Sequence, residues 1–177
     1  MKPTAGSTSD EVLAIALRKL DLSPRGVLAD IGCGSGKVSI AASPHVREVY
    51  AVDRRPGAIA YARDQAAAAG VTNIRFLEGE APRALEGLPV PDRAFIGGSR
   101  NITPVIVALA ARGTTGMVIS CVRIETLGLA VATLRRLGIF REALHVQVAR
   151  SRDLAGGTWF VPANPVYLVF GGEGLCS

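Results

Sequence analysis

Gly26-Val27-Leu28-Ala29-Asp30-Ile31-Gly32-Cys33-Gly34-Ser35-Gly36 decides how this chain is read. A short apolar run meets an aspartate, and three glycines follow at alternate positions. The run reads as a buried strand. Its loop lets a ligand lie against bare backbone, because glycine reaches positive φ freely and keeps a side chain out of the way. The helix expected next aims its N-terminal amides at the same spot. The stretch therefore reads as a nucleotide-type cofactor site.

The flanking sequence repeats the same alternation of strand and helix. Val12, Ile15, Ala16, Leu17 and Leu20 recur at helical spacing, after Thr8-Ser9-Asp10-Glu11, in which Thr8 and Glu11 have capping-box spacing. Glu48 to Val52 reads as the second strand, ending at Asp53; Pro56 suits the first turn of the next helix, and Gly70 its end. In that helix Ile59, Ala62, Ala66 and Ala69 form the core-facing stripe. Strands follow at Asn73 to Leu77, Arg93 to Ile96 and Gly116 to Val122, with helices beginning near Thr103 and running through Leu127 to Leu137. Two last strands, near Ala143 to Ala149 and Val166 to Phe170, flank a connection rich in glycine and proline. Five strand–helix alternations predict a doubly wound α/β fold, a mostly parallel seven-stranded sheet covered on both faces with an N-terminal helix. The closing pair has no helix between its members and is expected to add an antiparallel strand at one edge. Right-handed crossovers put every βα loop on one edge, where such sheets bind ligands.

Three features bear on whether a dinucleotide or S-adenosylmethionine is the occupant. Asp30 stands two residues ahead of the first glycine, where a carboxylate would repel a pyrophosphate but suits the ammonium of a methionine tail. Asp53 ends the second strand as an acid that accepts ribose hydroxyls should, which either cofactor would use, so it does not discriminate. Glu80 and Ala81 follow the third strand, placed for an adenine edge. The expected cofactor set is Asp30, Gly32, Cys33, Gly34, Ser35, Gly36, Asp53, Glu80 and Ala81. Within it Cys33 reads as a small filler between glycines. S-adenosylmethionine is the expected methyl donor.

At 177 residues the chain suits a single domain spanning 1–177. Apolar residues make up 49% and charged residues 20%, a composition that favours an oligomer. No apolar run reaches the ~18 residues of a membrane span, and Met1 to Gly6 lacks the apolar core of a signal peptide. Three widely spaced cysteines match neither a disulfide framework nor a zinc pattern, so a reducing cytoplasm is expected, with no metal. The net charge of +5 invites a polyanion, but Lys and Arg are scattered without a run of five. A small substrate bearing many carboxylates explains the same charge, and no nucleic-acid or membrane partner is expected.

The chain resembles class I S-adenosylmethionine-dependent methyltransferases. Within them it is similar to the decarboxylating precorrin-6Y methyltransferases of cobalamin biosynthesis. The resemblance is carried by Thr8 to Val12, Asp30 to Ile40, Gly79 to Pro82, Pro91 to Gly98, Glu125-Thr126 and Asn164-Pro165. It implies methylation of carbon 15 of a precorrin macrocycle with loss of carbon dioxide from the ring C acetate. It also implies a cofactor contact at Thr8, a homo-oligomer of tetrameric form, and a separate or fused partner that methylates carbon 5. In the fused case this chain would be the C-terminal part of a longer bifunctional protein.

A substrate with many carboxylates calls for arginines at the ligand edge. Arg100 and Arg123 follow strands four and five, with Asn101 and Glu125 beside them as polar partners. There is no catalytic triad and no catalytic histidine motif; His45 reads as a turn residue and His145 as a surface or interface residue of a strand. The alternative is an RNA or protein methyltransferase of the same fold. Amino-group methylases place Asn/Asp-Pro-Pro-aromatic after strand four, whereas Gly97-Gly98-Ser99-Arg100 stands there.

Overall fold

The computed structural model describes residues 8–98 and 100–173. The opening residues read for a leader, Ser99 of the loop after strand four, and Cys176 lie outside them. In chain order the elements are α1 (Asp10–Leu20), β1 (Val27–Ile31), α2 (Lys37–Ala42), β2 (Glu48–Asp53), α3 (Pro56–Ala68), β3 (Ile74–Glu78), β4 (Arg93–Ile96), α4 (Ile102–Ala111), β5 (Gly116–Cys121), α5 (Ile124–Arg136), β6 (Phe140–Val146), β7 (Ala149–Leu154), β8 (Gly157–Pro162) and β9 (Val166–Gly172).

Seven strands form one sheet in the order β3-β2-β1-β4-β5-β9-β6. β1 to β5 are mutually parallel, as the helices between them require. The closing pair is antiparallel, as expected; the strand that reverses is β9, which slots between β5 and β6 and leaves β6 as the edge.

Alternation along the strands divides the core between the two faces of the sheet. Ala29, Ile31, Ala94, Ile96, Met117, Ile119 and Val169 face α4 and α5, which contribute Ile102, Val105, Ile106, Leu109, Ala130 and Leu134. Leu28, Phe95, Val118, Leu168 and Phe170 face α1 and α2 through Val12, Ala16, Leu20, Val38 and Ala42. Strands covered on both sides need apolar residues at every position, which is why β1 is buried throughout.

Three local readings are corrected. The cap of α1 is Ser9, whose hydroxyl accepts the Val12 N–H, so Thr8 is not a capping residue and is left beside the cavity described below. Ala69 is exposed, and the buried stripe of α3 is Ala58, Ile59, Ala62 and Ala66. The connection between the last two strands of the sheet is itself a hairpin, β7–β8, closed by Ala155 and Gly156 with φ of 47° and 81°. Positive φ at both turn positions is the signature of a type I′ turn. The hairpin leaves no periodic apolar signal because β7 is exposed at every residue.

Register brings the site together. Ile31 pairs with Val52 on one side and Ile96 on the other, and Asp53 pairs with Glu78. The loops after β1, β2, β3 and β4 therefore leave the sheet at one level. β1 is flanked by β2 and β4, the point where strand order reverses and a crevice opens.

Candidate active site

A cavity of about 730 Å³ lies along this edge. Of the residues expected to hold cofactor, Thr8, Asp30, Gly32, Cys33, Gly34, Ser35, Asp53, Glu80 and Ala81 line it, as do Arg100 and Arg123. Gly36, Asn101 and Glu125 do not. Gly36 caps α2 at φ 76°, and a Cβ there would meet Ala62 Cβ at 3.0 Å, so its role is to seat α2 against α3. Asn101 donates to Glu80 Oε1 at 3.1 Å, tying the loop after β4 to the loop after β3. Glu125 lies 3.6 Å from Arg123 Nε as an exposed ion pair.

Backbone bonds fix the glycine loop. Gly32 and Cys33 both donate to Val52 O, at 2.8 and 3.0 Å, and Gly97 donates to Ile31 O at 2.8 Å. Gly32 at φ 76° lies so close to the loop after β4 that an added Cβ would stand 2.8 Å from Gly98 N. The Gly97-Gly98 pair thus has a physical role, letting the loop after β4 rest on the loop after β1. Cys33 is buried against Ala51 and Ile59, the filler its position suggests. Burial pushes its thiol well above the ordinary range, away from nucleophilic use.

The two aspartates stand in opposite electrostatic states. Asp30 is fully buried; Ser39 Oγ donates to its Oδ2 at 2.5 Å, while Oδ1 has no partner. Burial, against the pull of the Ser39 hydroxyl, raises its pKa from 3.8 to about 6. At Asp53 burial opposes the charge too, but hydrogen bonds from the Arg55 side chain, the Arg55 amide and the Gly34 amide outweigh it and hold the carboxyl below its ordinary range. Arg55 was not among the expected site residues; its only sequence signal is its place two residues after Asp53. Lys37 was also missed. Its Nζ donates to Thr8 O at 2.7 Å and pairs with Asp10 at 2.7 Å, which ties the segment before α1 to the first turn of α2.

Charge is mixed along the cavity, with Lys37, Arg54 and Arg55 among the lining residues at the glycine-loop end. Asp30 lies near the end of β1, Asp53 ends β2 and Glu80 follows β3, whereas Arg100 and Arg123 follow β4 and β5. At the far end, next to the arginines, Val146, Val148 and Val166 close the wall. One cavity therefore offers an unpartnered carboxylate oxygen, Asp30 Oδ1, for a cationic group at one end and the Arg100 and Arg123 guanidinium groups for an anionic one at the other.

Residues 5–170 match the model of the precorrin methyltransferase domain. The chain belongs to the precorrin methyltransferase family. A relative from Methanosarcina acetivorans, named "Probable cobalt-precorrin-6B C(15)-methyltransferase (decarboxylating)", is 39% identical over 173 residues, covering 95% of this chain and 94% of its own. Among solved structures, the precorrin-6y C5,15-methyltransferase from Geobacter metallireducens superposes with a TM-score of 0.91 at 34% identity, covering 98% of this chain and 94% of that one. The precorrin 8w decarboxylase of Methanobacterium thermoautotrophicum superposes with a TM-score of 0.90 at 32% identity, covering 94% and 92%. Family membership confirms the class I methyltransferase fold and sets aside the RNA and protein methyltransferase alternative.

Proposed function

We propose that this chain transfers a methyl group from S-adenosylmethionine to carbon 15 of a precorrin and releases carbon dioxide from the ring C acetate. The observation that carries the proposal is a cavity that sets the unpartnered Asp30 carboxylate oxygen at its glycine-loop end and Arg100 and Arg123 at the other. The residues fit the methyl donor. Asp30 Oδ1 is a buried carboxylate oxygen without a partner, the natural counter-charge for an ammonium. The positive-φ backbone at Gly32 and Gly34 leaves the approach free of side chains. Asp53 would take the ribose, Glu80 and Ala81 the adenine edge, and Thr8 would close the mouth. When bound, S-adenosylmethionine supplies an electrophilic methyl on a sulfonium.

The chain's own part is positioning. Arg100 and Arg123 hold carboxylates of the macrocycle so that its meso carbon faces the cofactor end. Val146, Val148 and Val166 exclude water from that end. A precorrin meso carbon is electron-rich, and the conjugated ring accepts the electron pair released with carbon dioxide, so neither step demands a strong protein base. The decisive experiment incubates the protein with S-adenosylmethionine and a precorrin-6 substrate and scores methyl gain and carbon dioxide release together. Both are expected; cofactor binding with no change in substrate mass would redirect the assignment to another acceptor.

Arg123 is the first substrate-side test. Arg123→Ala is expected to weaken precorrin binding roughly tenfold, the loss of one charge-assisted contact. S-adenosylhomocysteine affinity, measured by calorimetry, stays unchanged. Equal loss of both would place Arg123 in the cofactor half.

The protein works, in this reading, as one catalytic domain in the cytoplasm, alongside a carbon-5 methyltransferase. It works as a homo-oligomer, a tetramer by family likeness. The exposed side chains Leu154, Trp159 and Phe160 on β7–β8 support self-association, since apolar groups clustered on one projection are costly to leave in water.

A further inference from the structure

Asp53 offers four acceptor positions on its two oxygens, and all four are filled. Oδ1 accepts the Arg55 backbone N–H at 3.0 Å and Arg55 Nε at 2.9 Å. Oδ2 accepts the Gly34 N–H at 3.0 Å and Arg55 Nη2 at 2.9 Å. Each oxygen therefore carries one backbone amide and one guanidinium nitrogen. The amides belong to the loops after β1 and β2 and cannot leave without moving the backbone. The guanidinium can leave, because its side chain is 40% exposed while that of Asp53 is 4% exposed.

We infer that Arg55 is a displaceable stand-in for the ribose diol of the cofactor, and that its grip on Asp53 limits cofactor affinity. The inference rests on Asp53 as the ribose acceptor. A vicinal diol presents two adjacent donors, one for each carboxylate oxygen, the same two-point pattern as Nε and Nη2 of Arg55. A ribose can engage both oxygens only where the guanidinium now sits. The steric picture agrees, since a Cβ at Gly34 would stand 3.8 Å from Arg55 Nη2, so the guanidinium lies over the loop meant for close approach of a ligand. Binding exchanges one bidentate partner for another on a carboxylate that two amides hold in place throughout.

The test is calorimetric titration of the full chain with S-adenosylhomocysteine and with its 2′,3′-dideoxy analogue, on wild type, Arg55→Ala and Arg55→Gln. With the guanidinium gone, the diol no longer has to displace it, and S-adenosylhomocysteine is expected to bind roughly tenfold tighter to Arg55→Ala, the scale of one charge-assisted hydrogen bond. Arg55→Gln keeps a shorter, polar side chain without the charge, and is expected to gain in the same direction. The dideoxy analogue, which has nothing to place on Asp53, gains nothing in either variant. Wild-type binding with unchanged or weaker binding in both variants overturns the role of Arg55 alone. An equal gain for the dideoxy analogue overturns it as well, by showing a general opening of the site. No binding of S-adenosylhomocysteine to any form overturns the cofactor reading together with the inference.

Discussion

Asp30→Asn is expected to yield a protein that is more stable than the wild type above pH 6 and that has lost its cofactor. Asp30, the penultimate residue of β1, has no exposed surface, one oxygen held by Ser39 and the other without a partner. Its pKa rises from 3.8 to about 6, chiefly through burial. For an acid this direction means that the folded state holds the proton more tightly than the unfolded chain. The stability that this group contributes is fully present below pH 3.8 and is lost as pH climbs from 3.8 to about 6, the window set by that shift. Above it the ionised carboxylate costs the apo protein about 3 kcal/mol. Asparagine has nearly the same shape, can still accept from Ser39, and stays neutral at every pH. Urea unfolding at pH 8 should therefore favour the variant by up to about 3 kcal/mol, and the gap should close toward pH 4. S-adenosylhomocysteine affinity should fall on the order of a hundredfold at pH 8, since the ammonium has lost its counter-charge. Equal stabilities at pH 8, or unchanged binding, would remove Asp30 from the site. The same titration makes wild-type affinity drop as pH falls below about 6, where Asp30 takes up its proton.

A site that carries this much instability is one the sequence can reveal. An aspartate inside a buried apolar strand is a local contradiction. Its neighbours Leu28, Ala29 and Ile31 all serve the core, whereas Asp30 has one oxygen on Ser39 and the other without a partner. The parallel strands were legible for a related reason, because burial on both faces makes apolar runs nearly continuous. Asp53 and Glu80 were legible as strand ends, and Arg100 and Arg123 as cations on the loops after β4 and β5.

What escaped the sequence depends on contacts between side chains or on surfaces without a core. That Arg55 fills Asp53 follows from how the backbone turns after β2, and an arginine near a helix start gives no hint of it. Asn101 caps α4 after the loop from β4 and Glu125 sits in the first turn of α5, yet they turn to Glu80 and Arg123. Sequence position fixes the loop and leaves the direction of the side chain open. Ser9 displaced Thr8 as the α1 cap because the two adjacent hydroxyls are equivalent in pattern and differ only in where the helix begins. The β7–β8 hairpin was hidden because its turn is Ala-Gly, without the asparagine that usually marks positive φ, and because it packs on no core.

Gly32→Ala is expected to be the most damaging small substitution in the cavity, and the reason lies in backbone meeting backbone. A Cβ at Gly32 would stand 2.8 Å from Gly98 N, 3.1 Å from Gly98 Cα and 3.3 Å from Gly97 C. None of these atoms belongs to a side chain that could turn aside. The residue also holds φ 76°, where any L side chain is strained. Gly34 makes the contrast. It holds φ 56°, but its nearest neighbours are Arg55 Nη2 at 3.8 Å and Gly32 O at 3.9 Å, ordinary contacts. Gly34→Ala should therefore cost only the conformational term, about 1–2 kcal/mol. Gly32→Ala should cost about 3 kcal/mol or more, because the loop after β4 must also move away. That movement separates the glycine loop from the loop carrying Arg100, the two loops that the proposed function assigns to cofactor and substrate and that line one cavity. Gly32→Ala is thus expected to lose both S-adenosylhomocysteine binding and precorrin turnover, even at a temperature where it remains folded. Urea midpoints for the two variants decide the point. If Gly32→Ala is no less stable than Gly34→Ala, the close approach of Gly98 does not constrain this loop, and the Gly97-Gly98 pair needs another explanation.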